Sequence, residues 1–262
     1  MEKSELRASL ALAGIFALRM LGLFLILPVF SVHAKSLPGG DQALLVGLAL
    51  GIYGFVQACL HIPLGMLSDK YGRRPVVVVG LALFVLGALI AASHDDLMWM
   101  TVGRAIQGAG AISAAVTAWL ADLTREEMRT RAMAMVGGSI ALTFALSLVL
   151  ASPLHESIGL DGMFNVMAFL GVGAMLIALF IVPEQSKSSQ TPFTAKFSEV
   201  FFNKDLLRLN LGVLVLHAAQ IALFLTLPRL LARADLLLSA HWQLYVNLVC
   251  VHGPDHHDER ET

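Results

Sequence analysis

The chain has 262 residues, 57% of them hydrophobic and 14% charged, with a formal net charge of −1. That apolar content, with a strongly positive mean hydropathy, excludes an ordinary soluble domain and points to a polytopic membrane protein. The near-zero charge says little by itself, because in such a protein the placement of Lys and Arg carries the information.

About 20 apolar residues cross a bilayer core. Spans of that kind are predicted at 9–32, 44–67, 75–93, 98–120, 132–152, 162–182 and 206–228. The first follows Lys3 and Arg7 and contains Val32-His-Ala34, which imitates a signal-peptidase site. It is read as an uncleaved helix, because it is about twice as long as a signal h-region and carries Arg19. A shorter stretch at 236–251, interrupted by His241, Gln243 and Asn247, is a partial eighth helix running into a polar tail. Cys59 falls in an apolar run and Cys250 lies far from it, so neither a disulfide framework nor a metal motif is indicated.

Lys3, Arg7, Lys70, Arg73, Arg74, Arg125, Arg129, Arg131, Lys187, Lys196, Lys204 and Arg208 fall on one side of these spans. The first three loops opposite offer only Lys35, beside Asp41, Asp95, Asp96, Glu156 and Asp161. The excess of basic residues places the N-terminus in the cytoplasm. Arg229 and Arg233, beyond span 7, fall outside and weaken the bias there. The segment 183–205 is polar, rich in Ser, Thr and Lys, and separates a six-helix unit, 1–182, from 206–262. Gly47, Gly51, Gly54, Gly137, Gly138, Gly171 and Gly173 are expected to allow close helix approach.

Between spans 2 and 3 stands Gly65-Met-Leu-Ser-Asp69-Lys70-Tyr-Gly72-Arg73-Arg74-Pro75. Gly72 and Pro75 supply turn chemistry, and Asp69 opposes three cations. As a generic hairpin this would be a solvated, topology-setting loop. The composite spacing resembles the loop between helices 2 and 3 of the major facilitator superfamily, and Leu-Thr-Arg125-Glu-Glu-Met-Arg-Thr-Arg131 resembles its helix 4–5 loop. Six tightly linked helices before a long cytoplasmic linker match the first half of a twelve-helix carrier of that family. Leu18-Arg-Met-Leu-Gly-Leu-Phe-Leu-Ile-Leu-Pro28-Val, and Gly51-Ile-Tyr-Gly54 followed by Gln57, are similar to its YajR-type bacterial inner-membrane efflux branch.

The resemblance implies an all-α fold of two three-helix inverted repeats, with a substrate site near the midplane between two six-helix halves. It also implies that Gly65, Asp69, Lys70, Gly72, Arg73, Arg74 and Asp122 form a conformational latch. In that latch Asp69 faces a helix N-terminus of the other half and Arg73 pairs with Asp122.

Arg104, followed by Gln107, Gly108 and Gly110, lies inside span 4, where an arginine is costly unless satisfied. Arg-x-x-Gln-Gly-x-Gly resembles a helix 4 motif associated with proton coupling; the alternative is an Arg that merely ties helices 1 and 4 together. Arg19, near the middle of span 1, either lines a cavity or is a structural donor, and it is the mate of Arg104 expected of inverted repeats. Gln57, His61, Asn165, His217 and Gln220 are interhelical bond partners or cavity contacts. No Asp or Glu lies in the middle of any of the seven spans. Protonation would therefore fall to a histidine, to Asp122, or to residues the chain lacks.

No Ser/His/Asp set, zinc spacing or P-loop is found, and His256 and His257 are adjacent but do not make a metal motif. The reading is not an enzyme: a secondary transporter working by alternating access, with small-molecule substrate and protons as partners, and neither cofactor nor nucleic acid. Its expected location is the inner membrane, multi-pass. The rival expectation is a truncated, non-transporting membrane fragment of such a carrier.

Overall fold

The computed structural model describes residues 1–183 and 204–233. Among these the regular structure is all helical, without strands: α1 (Lys3–His33), a 3-10 turn (Ala34–Ser36), α2 (Ala43–Tyr71), α3 (Arg73–Ala92), α4 (Leu97–Ala109), α5 (Ser113–Asp122), α6 (Glu126–Phe180) and α7 (Lys204–Arg233). Apolar side chains all round a helix leave the backbone as the only polar group, and intrahelical bonds satisfy it without water. Helices α1, α2, α3, α6 and α7 are long and apolar enough to cross a membrane.

Spans 4, 5 and 6 differ in detail from expectation. Span 4 is two short helices, because the chain leaves helical geometry at Gly110 (φ −78, ψ 42) before α5 begins. Spans 5 and 6 are not joined by a polar loop. The helix continues to residue 158 and breaks only at Gly159, whose φ of 68 and ψ of −176 suit a residue without Cβ. Contacts at the two ends show that α6 doubles back there. Arg125, before its start, meets Glu5, while Ala178 and Leu179, near its end, meet Arg74. His155, at its middle, meets His33 at the far end of α1.

The spans therefore alternate between two ends of the bundle. One end gathers Glu5, Arg73, Arg74, Asp122, Arg125 and Ala178. The other gathers His33, Asp95, His155 and Asp161. Helix α7 docks its C-terminal turns at this second end, where Ser31 Oγ donates to the Phe224 carbonyl (3.3 Å) and Arg229 Nε donates to the Ser31 carbonyl (3.1 Å). The linker residues 184–203 and the expected partial eighth helix lie outside the described residues.

Two large apolar clusters and a small one at Leu148 and Phe224 fill the bundle among the described residues. Leu25, Ile26, Phe30, Phe84, Phe164 and Met167 pack in one large cluster, and Leu12, Ile15, Leu81, Val116, Trp119 and Leu120 in the other. Small residues set the closest crossings. A Cβ on Gly87 would collide with the Gly103 carbonyl, one on Gly108 with the Tyr53 carbonyl, and one on Gly110 with that of Gly80. Gly171 is tight against Val85 and Phe84, whereas Gly47 and Gly173 make ordinary contacts. Gly51, Gly54, Gly137 and Gly138 have nothing within 4 Å among the described residues. They lie on surfaces of α2 and α6 that no described helix covers.

Candidate functional site

The polar residues separate into a belt at one end, a buried centre and a rim at the other end. In the belt, α2 ends at Gly72, whose φ of 98 lets the chain turn directly into α3. That turn sets Arg73 against three acceptors. Its Nε donates to Asp122 Oδ2 (3.0 Å), its Nη1 donates to Ser68 Oγ (2.7 Å), and it forms an ion pair with Asp69. Asp69 is thus held by Arg73 one helical turn away, and the helix N-terminus expected to face it lies among no described residues. Arg74 does something the sequence did not suggest. It donates to the carbonyls of Ala178 (3.0 Å), Leu179 (2.6 Å) and Val182 (3.1 Å), closing the C-terminus of α6 where carbonyls lack partners and a cation is favoured. Lys70 lies exposed over the Tyr71 ring, and a Cβ on Gly65 would meet Ala114 of α5 at an ordinary contact distance.

A second ion-pair group in this belt also escaped the sequence reading. Arg125 donates from Nε to Glu5 Oε1 (2.9 Å) and from Nη2 to Glu5 Oε2 (3.1 Å), while Glu5 also accepts from the backbone N–H of Glu2 (2.8 Å) and of Arg125 (3.1 Å). Led by the Arg125 guanidinium, these donors hold the Glu5 carboxyl down at about 2. The available signal was Glu2 and Glu5 at capping-box spacing in the first turn of α1.

At the centre, Arg19 is fully buried. Its Nη2 donates to Tyr53 Oη (2.7 Å), Gln57 Oε1 (3.3 Å) and the Gly110 carbonyl (3.3 Å), and its Nη1 donates to Ser113 Oγ (3.4 Å). The break at Gly110 is what exposes that carbonyl. Arg104, 2% exposed, donates to Gln107 Oε1 (3.2 Å), and Gln107 in turn reaches Met167 Sδ (2.7 Å). Both guanidinium groups approach one ring: Tyr53 lies 4.9 Å from Arg104 and 6.0 Å from Arg19. The two arginines, far apart in sequence, thus meet at a single aromatic side chain. Tyr53, Gln57 and His61 follow at i, i+4 and i+8, forming one half-buried stripe along α2. Tyr53 and Ser113 were missed as site residues, although Tyr53 shares a helix face with Gln57.

Asn165 and His217 do not join this centre. Asn165 is exposed on the same face of α6 as Phe169, which is 77% exposed, because the opposite face holds Phe164 and Met167. His217 is exposed on α7, two turns before the residues that dock on α1. Gln220 is half-buried on the same helix.

The opposite rim pairs the His33 and His155 rings edge to face with centroids 5.1 Å apart, beside Asp161 and Asp95. Burial pushes both imidazoles below their ordinary range, and burial together with Asp95 pushes Asp161 up.

Comparisons with known proteins place this geometry. The chain is 41% identical over 250 residues to the inner membrane transport protein YajR of Escherichia coli, covering 94% of this chain and 55% of that protein. It is 29% identical over 164 residues to multidrug resistance protein MdtL of Klebsiella pneumoniae, covering 62% of this chain and 41% of that one. The chain therefore spans about half the length of the curated relatives it matches. Its fold superposes with a TM-score of 0.72 on a bacterial homologue of the human lysosomal transporter Spinster in an inward-facing, unoccupied conformation, at 16% identity over 96% of this chain and 60% of that one. The family model for the Major Facilitator Superfamily matches residues 12–251. With most of its length inside that match, this chain belongs to the Major Facilitator Superfamily.

Proposed function

We propose that the protein is a secondary active transporter that exports small molecules by alternating access, coupled to protons, with its N-terminus in the cytoplasm. The observation that carries this reading is the buried centre. Arg19, Tyr53, Gln57, Arg104 and Gln107 are gathered midway between two polar ends, where unneeded charge would be costly. The efflux branch is supported by the likeness to a multidrug resistance protein.

The belt supplies the second element of the reading. Arg73 ties the start of α3 to the end of α5 through Asp122, and Arg74 ties it to the end of α6. These bonds make that end of residues 1–182 one unit able to move as a body, as rocking between halves requires. Gly51, Gly54, Gly137 and Gly138, open in this structure, leave room for the helices of a second half.

The test is flux into inverted membrane vesicles or proteoliposomes under an imposed pH gradient, comparing wild type with Arg104→Ala. Arg104→Ala should abolish gradient-driven flux while leaving the inserted, monodisperse protein at near wild-type yield. Undiminished flux in that variant would return Arg104 to a purely structural role.

A further inference from the structure

The two central arginines carry charge that nothing described balances. Neither Arg19 nor Arg104 forms an ion pair among the described residues, although the four ion pairs found there use Arg73 and Arg125. Every acceptor they reach is neutral: a phenol, two carboxamides, a serine hydroxyl and one carbonyl. Most of these bonds are long. Arg19 reaches Gln57, Gly110 and Ser113 only at 3.3 to 3.4 Å, whereas a guanidinium on an oxyanion closes to about 2.7–2.9 Å. The Nε of each arginine is buried with no partner at all. Two cations at a helix centre, incompletely bonded, are expensive to keep there unless a counter-charge arrives.

We propose that this centre is an oxyanion site, and that the ligand it takes is a small organic molecule carrying a carboxylate or phosphate. A planar fork with a free Nε is the group that binds such oxygens two at a time, and two forks flanking one ring leave the ring to stack on the ligand's apolar part. Tyr53 lies against both guanidinium groups, with the Phe84 ring also 5.6 Å from Arg19. Gln57, half-buried on the same stripe as Tyr53, holds the place of the anion at Arg19 Nη2 until the ligand enters. The inference names the substrate class for the transporter proposed above and rests on that reading for its biological meaning, but the binding event stands apart from flux.

Calorimetric titration of the full 262-residue chain in phosphatidylcholine nanodiscs tests it, with benzoate and phenyl phosphate as probes and benzamide as the neutral isostere. Both anions should bind saturably, with benzamide at least tenfold weaker. Arg19→Lys and Arg104→Lys keep the charge but lose the fork, and each should weaken benzoate roughly tenfold while thermal unfolding of the variant stays near wild type. Repeating the titration with phosphatidylglycerol in the disc separates two sources of the same chemistry. Competition by that lipid assigns the site to a headgroup phosphate, and unchanged binding assigns it to a soluble anion. Equal binding of benzamide, unchanged affinity in both lysine variants, or no anion binding in either disc would overturn the proposal. Arg19-dependent binding without flux would sink the carrier reading alone, and flux without anion binding would sink this one alone.

Discussion

Single residues in the belt show how one charge is used more than once. Glu5 accepts from both arms of Arg125 and from two backbone N–H groups, and its carboxyl is held at about 2. A carboxylate whose folded value is depressed contributes stability that is complete above its unfolded value and is lost as pH falls through the folded one. The unfolding temperature of wild type should therefore exceed that of Glu5→Gln by a constant margin above about pH 5, and the gap should close toward pH 2, read by thermal unfolding in detergent. A margin that does not vary with pH would mean the side chain acts by packing alone. Arg73 and Arg74 show the same economy, since adjacent positions on one turn address two different helices.

At the scale of elements, glycine decides how near α3, α4 and α2 come to one another. The Arg-x-x-Gln-Gly-x-Gly segment joins two functions: Arg104 and Gln107 are the polar pair, while Gly108 and Gly110 let their own backbone meet α2 and α3. Gly103 makes the same close approach to Gly87, and its Cβ position is occupied by Gly87 backbone and Ala91. Gly103→Leu should destabilise the bundle by about 1–3 kcal/mol, the cost of overpacking a close-packed interior. Gly137→Leu, at a position with nothing within 4 Å, should leave the unfolding temperature of this chain nearly unchanged. Comparing the two variants by thermal unfolding separates a packed crossing from an open face.

For the whole molecule, the alternation of spans between two ends leaves only the choice of which end faces the cytoplasm. The orientation proposed from the basic residues has the belt inside. With Cys59 and Cys250 replaced by alanine, Lys70→Cys should react with a membrane-impermeant maleimide only in inverted or opened vesicles, and His94→Cys should react in intact cells. Lys70 is the better inner reporter than its neighbour Ser68, which is buried under Arg73. The opposite labelling pattern would invert the orientation and, with it, the direction proposed for transport.

Hydropathy was enough to place the seven apolar spans over the described helices, because in a bilayer each span must be apolar over its whole length and that requirement is written locally. The belt motif was legible for a similar reason: Asp69, Gly72, Arg73 and Arg74 fall within six residues across one tight turn, so their spacing survives in the linear order. Arg104 and Arg19 could be named as costly, but not as neighbours, since the ring that joins them belongs to a third helix. The break at Gly110 was equally out of reach, because glycine alone does not end an apolar helix; the backbone of α3 pressing against it and Arg19 taking its carbonyl do. Asn165 and Gln57 look alike as isolated polar residues within apolar spans. Only the packing of α6 turns the first outward and that of α2 turns the second toward Arg19, because the face a helix buries is set by its neighbours when the helix is apolar all round.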